Sequence, residues 1–149
     1  MQAAAVRVYI PVSAADLLLL SQQGNVPVER GWSATEALLQ VDGLEADDLD
    51  MGEAIAMALA AGASRSAGSE PAPSFRRVVA ADVADDCTEV PDEPGTVLIP
   101  GSLALSQVVS VHIDATPTRP PQPDELEDVA QLQWFDVAEV ADAAQAPEA

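Results

Sequence analysis

His112 is the chain's single imidazole, and Asp114 follows two residues later in VVSVHID. Side chains two apart on an extended strand share a face. The spacing therefore admits a histidine–carboxylate pair, half of a general-base arrangement. The competing reading is a structural or edge-strand histidine bonded to a neighbour, and it is favoured because little else in the sequence supports catalysis. His112 and Asp114 are thus the candidate catalytic residues of a chain expected to have no active site. Cys87, the only cysteine, lies in Asp85-Asp86-Cys87-Thr88-Glu89. A reactive thiolate needs electropositive surroundings, and these carboxylates act in the opposite sense. Cys87, His112 and nearby acids have the right atoms for a metal but no recognisable ligand spacing, so no metal site and no cofactor are expected.

The acids of DDLDMGE (47–53) superficially suggest a calcium loop. An EF-hand places oxygen ligands at positions 1, 3 and 5 and glycine at 6. Counting from Asp48, those last two places fall on Gly52 and Glu53, so the pattern fails, and a charged helix start explains the run better. GxGxxG, GxxxxGK[ST] and GxSxG motifs are absent. Arg76 and Arg77 are the only adjacent basic residues. Successive strand positions point to opposite faces, so one is expected to anchor a carboxylate and the other to meet solvent.

Charge removes further classes. The chain has six arginines, no lysine and 25 Asp plus Glu, a net charge of −19 over 149 residues. Lysine nucleophiles, Schiff bases and lysine-cradled phosphates are excluded. The negative field repels polyanions, which disfavours direct nucleic-acid or anionic-membrane binding. The lysine-free, alanine-rich composition also fits the codon bias of a GC-rich genome. No apolar run approaches the ~20 residues of a membrane helix, and no secretory leader is evident in MQAAAVRVYIPV. A soluble cytoplasmic protein is expected.

These residues need elements to position them. Val6–Val12 has the β-branched and aromatic content of a strand. Ser13 with Asp16 starts a helix that Gly24 stops. Residues 26–32 suit a short strand or an extended loop. Ser33 to Glu36 matches a capping box opening a helix that ends near Gly43. A longer helix over 48–63 places Leu49, Ile55, Ala56, Leu59 and Ala63 at helical spacing. Residues 62–74 form a flexible connection, 75–83 a strand covered on both faces, and the acidic stretch 85–95 a surface loop. Strands are expected at 96–100, 108–113 and 132–137, with a turn or one helical turn at 101–106. Residues 114–124 hold four prolines and exclude regular structure.

The whole reads as one α+β domain, a small mixed sheet with helices packed mainly on one face. Its expected parts are a core over 1–113, a proline-rich linker over 114–124, a strand segment over 125–137 returning to the core, and a frayed or disordered acidic tail over 138–149. Aromatics are scarce, at 3% of residues. Trp134 and Phe135, being consecutive, face opposite sides of the last strand; either is a candidate partner-binding residue, with core packing the commoner role.

RVYIP (7–11), RRVVAADV (76–83), VHID (111–114) and the Trp134-Phe135 pair together resemble an uncharacterised actinobacterial domain-of-unknown-function family of similar length. Its members share an RVYIP start, an RRVVxAADV strand, a VHVD strand and a C-terminal W-Y/F. Prolines 117–123 stand here where other members continue in a longer helical stretch. The resemblance implies a bacterial cytoplasmic domain and transfers no activity. The expected function is a non-enzymatic interaction or accessory domain that meets a basic protein partner through its acidic surface. The alternatives are a small enzyme or metal-binding protein using His112, Asp114 and other carboxylates, and a nucleic-acid mimic occupying the basic groove of a DNA- or RNA-processing protein.

Overall fold

The computed structural model describes residues 5–41, 43–65, 75–84, 87–122 and 125–140. Its strands are β1 (Ala5–Pro11), β2 (Asn25–Pro27), β3 (Arg30–Trp32), β4 (Arg77–Ala84), β5 (Thr88–Glu89), β6 (Thr96–Leu98), β7 (Ser102–Ala104), β8 (Val108–Ile113) and β9 (Gln133–Asp136). The helices are α1 (Ala14–Gln23), α2 (Glu36–Val41) and α3 (Leu49–Ala63). Seven strands form one sheet in the order β5-β6-β3-β1-β4-β8-β9, and β2 pairs with β7 in a second, two-stranded sheet. The single-domain α+β class holds. The sheet, however, is antiparallel in every described pairing rather than mixed. Among the described residues, no helix serves as a crossover between neighbouring parallel strands of this sheet.

Alternation along the central strands builds two cores. Val8 and Ile10 of β1 join Val79 and Ala81 of β4, Val111 and Ile113 of β8, and Leu17 and Leu20 of α1. Tyr9, Val78 and Ala80 face the other way, against Ala56, Ala60 and Ala61 of α3 and Leu38 of α2. Two helices thus cover one face, while α1 and the small sheet cover the other. Opposite β4, β8 carries an extra residue where the register slips between Ala80 and Ala81. This bulge turns Val109 outward.

Local signals govern α1 well. Ser13 Oγ accepts from the Asp16 amide at 3.0 Å, the Asp16 carboxylate accepts from the Ser13 amide at 2.9 Å, and Gly24 closes the helix at φ +79°. The expected Ser33 box does not form. Thr35 caps α2 by accepting the Leu38 amide, because Ser33 donates its hydroxyl to the Arg7 carbonyl at 2.8 Å. In α3 the inward stripe is Gly52, Ala56 and Ala60, flanked by Ala58 and Ala61, whereas Leu49 and Ala63 are exposed. Small side chains let the helix lie close to the sheet, and the larger ones move to its flanks.

Residues 26–32 divide between two sheets, with β2 and β3 separated by Val28 and Glu29. The expected turn at 101–106 contains β7, and the expected acidic loop contains β5. Glu89 holds β5 there: its Oε2 accepts from the Thr35 hydroxyl and, at 2.8 Å, from the Gly95 amide. Residues 66–74 of the expected flexible connection, Asp85 and Asp86, 123–124, and 141–149 of the expected tail lie outside the described residues.

Candidate functional site

Arg76 enters β4 with a fully buried guanidinium, and the residues that face it are acidic. Its Nε and Nη2 donate to the two oxygens of Asp114, each at 2.8 Å, and its backbone amide adds a third bond at 2.9 Å. Its Nη1 donates to Glu127 at 3.2 Å and to the Asp128 carbonyl at 2.7 Å. Arg65, just beyond α3, grips the same Glu127 through Nε and Nη2, both at 2.8 Å. It also donates to the carbonyls of Thr118 and Arg119. The Thr118 hydroxyl closes the cluster by donating to Asp114 at 3.2 Å.

This is a two-arginine, two-carboxylate network with its donors matched to acceptors, the condition under which buried charge is tolerated. Burial pushes the Asp114 carboxyl up, but its bonds to Arg76 outweigh that and hold it below the usual range. Burial likewise opposes the charge on Arg76, and the bonds from Asp114 and Glu127 raise its pKa overall. Beside the network lies an open groove of about 480 Å³, lined by both arginines, Thr118, Arg119, Leu126 and Glu127. The chemical effect of the arrangement is to tie the 114–128 segment to β4 and α3.

His112 and Asp114 do not form the pair their spacing admits. Asp114 is taken by Arg76, and the His112 Nε2 lies 2.8 Å from Ser110 Oγ on the same strand. The imidazole is 1% exposed, and its Nδ1 has no hydrogen-bond partner among the described residues. Burial alone pushes its pKa down to about 4, so at neutral pH the ring is uncharged. Across the β8–β9 ladder, Trp134 sits opposite it in register and meets the imidazole edge-on, with ring centroids 4.8 Å apart. Trp134 is itself 73% exposed. Phe135 turns inward and packs against the core of Val8, Leu103 and Val111.

Cys87 is half-buried against that same core. Among the described residues, no group of three or more His, Cys, Asp or Glu is placed to hold a metal ion. Asp48 serves the turn before α3, where its carboxylate accepts the Glu45 amide at 2.9 Å. Of the adjacent pair, Arg76 anchors a carboxylate as expected of one member, but neither meets solvent: Arg77 is only 8% exposed and lies over the Phe75 ring at 5.6 Å. Arg65, Thr118 and Glu127 carried no local signal, since their roles depend on a contact between α3 and a loop more than fifty positions away.

An antiparallel α+β domain whose buried polar side chains brace one another, with an exposed tryptophan on its terminal strand, defines the structural class. The chain belongs to the family of unknown function DUF6912, whose family model matches residues 6–143. Comparison with curated proteins and with solved structures finds no match. No helix among the described residues is long and apolar enough to cross a membrane.

Proposed function

We propose that the chain is a non-enzymatic accessory domain that binds a basic protein partner through its acidic exterior. The observation that carries the reading is where its few cations go. Of six arginines, Arg7, Arg65 and Arg76 are engaged by carboxylates of the domain itself, and Arg77 is buried over Phe75. Most of the 25 acids are therefore left without an internal cation, and the field outside the domain is anionic. Complementary charge accelerates encounter and selects partners of opposite sign. The groups best suited to acid–base chemistry support the same reading, because Asp114 is engaged by Arg76 and His112 is buried against Ser110 and Trp134.

The test is capture by the immobilised full-length chain from lysate at low and high salt. A stoichiometric basic protein, retained at low salt and released by high salt, is the expected result. A low-salt eluate without such a protein overturns the reading.

A further inference from the structure

Resting on that reading, we infer that the partner contributes an extended segment with basic residues at alternate positions, which adds as an eighth strand along β9 beside Trp134. Among the described residues β9 is the last strand of the large sheet, and no described strand pairs with its outer side. The ladder tells which backbone groups face out. The Asp136 amide donates to Glu139 at 3.0 Å rather than to β8. Inward and outward groups alternate along an antiparallel ladder, so the amide and carbonyl of Trp134, two residues earlier, also point away from β8. Close approach of the Trp134 and His112 rings fits such a non-hydrogen-bonded pair. Glu139 thus caps one outward amide and leaves that of Trp134 open to an added strand.

Side-chain placement sets the chemistry of that strand. Trp134 and Asp136 share one face of β9, and Asp136 is exposed. An incoming Arg or Lys opposite Trp134 meets the indole as a cation–π partner, and one two residues along meets the Asp136 carboxylate. Between them, an apolar side chain falls on the face of Phe135. β9 and the turn after it, residues 133–139, carry Asp136 and Glu139 and no basic residue. A second copy as occupant would bring together two chains of charge −19. The recognition is strand addition, with main-chain bonds giving affinity and alternate side chains giving specificity.

The probe is a fluorescein-labelled octapeptide of alternating Arg and Val, titrated into the full chain. The comparisons are a peptide with the same residues in two blocks, one with Glu in place of Arg, and the variants Trp134→Ala and Trp134→Pro. Hydrogen exchange of the Trp134 amide reports the position. The alternating peptide should bind at low salt, protect that amide, and bind about tenfold more weakly to Trp134→Ala. Trp134→Pro, which removes the outward amide as well as the indole, should fold and bind more weakly than Trp134→Ala, the difference reporting the main-chain bond. Equal affinity for the block peptide, or binding that leaves the Trp134 amide unprotected, overturns the inference. So does protection already present without peptide: at monomeric dilution it assigns the edge to the chain's own C-terminus, and if it grows with protein concentration, to a second copy. A lysate partner captured equally well by Trp134→Ala removes this inference and leaves the accessory reading standing, whereas no captured partner removes both.

Discussion

At the scale of single residues, the Arg76–Asp114 pair and His112 make opposite demands on the interior. Asp114→Asn leaves the Arg76 guanidinium buried with half its compensation gone, and should cost about 3–5 kcal/mol in denaturant unfolding. Arg76→Met combined with Asp114→Leu should cost clearly less than the two single changes together, because no orphaned charge remains. His112 gives a pH signature. Its folded pKa of about 4 lies below the ordinary 6.5, so between those values the unfolded chain takes up the proton more readily. The stability is fully present above pH 6.5 and falls as the pH drops towards 4. Relative to His112→Gln, the loss should reach about 3 kcal/mol, measured as a series of unfolding midpoints across that window. Its spacing to Asp114 was legible in the sequence, but its partners were not. An i, i+2 relation fixes a shared face and leaves open which neighbour claims each group.

At the scale of elements, close approach decides more than propensity. β3 passes so near β1 that a methyl group on Gly31 would collide with the Val8 side chain and come within 2.9 Å of the Tyr9 carbonyl. A backbone atom cannot step aside, so Gly31→Ala should destabilise by about 1–3 kcal/mol, read from the shift in unfolding midpoint at unchanged slope. The central strands and α1 were legible because their signals are local: β-branched alternation, a Ser–Asp capping box, a glycine at the helix stop. β5 and β7 were not. Two- and three-residue strands exist only because a neighbour supplies the other half of the ladder. The inward face of α3 was legible only in part, for a related reason: Ala56 is buried with Ile55 and Leu59 packed beside it, whereas Leu49 and Ala63 are exposed. Apolar periodicity marks its large residues, while proximity to the sheet selects Gly52, Ala56 and Ala60 for the interior.

At the scale of the whole molecule, net charge works against compactness. Unfolding lets 25 carboxylates move apart, so added salt should stabilise the domain by screening their repulsion. The expected outcome is a denaturant midpoint that rises from low to moderate sodium chloride concentration. A midpoint that falls would mean that the arginine–carboxylate contacts outweigh the general repulsion. The two effects separate by position, because Arg76 and Asp114 are shielded from ions whereas Arg7 and Asp82 are partly exposed.

Composition and local pattern by themselves determined that this chain is strongly anionic, makes no disulfide within itself, and folds as one α+β domain with strands near both ends. Those properties depend on counts and short-range periodicity, which hold whatever the topology. Only the tertiary structure decided which acid holds Arg76, that His112 is sealed under Trp134, and that β9 lies at the sheet edge. These depend on contacts between segments tens of residues apart, and such contacts are set by strand order, which a linear pattern does not encode.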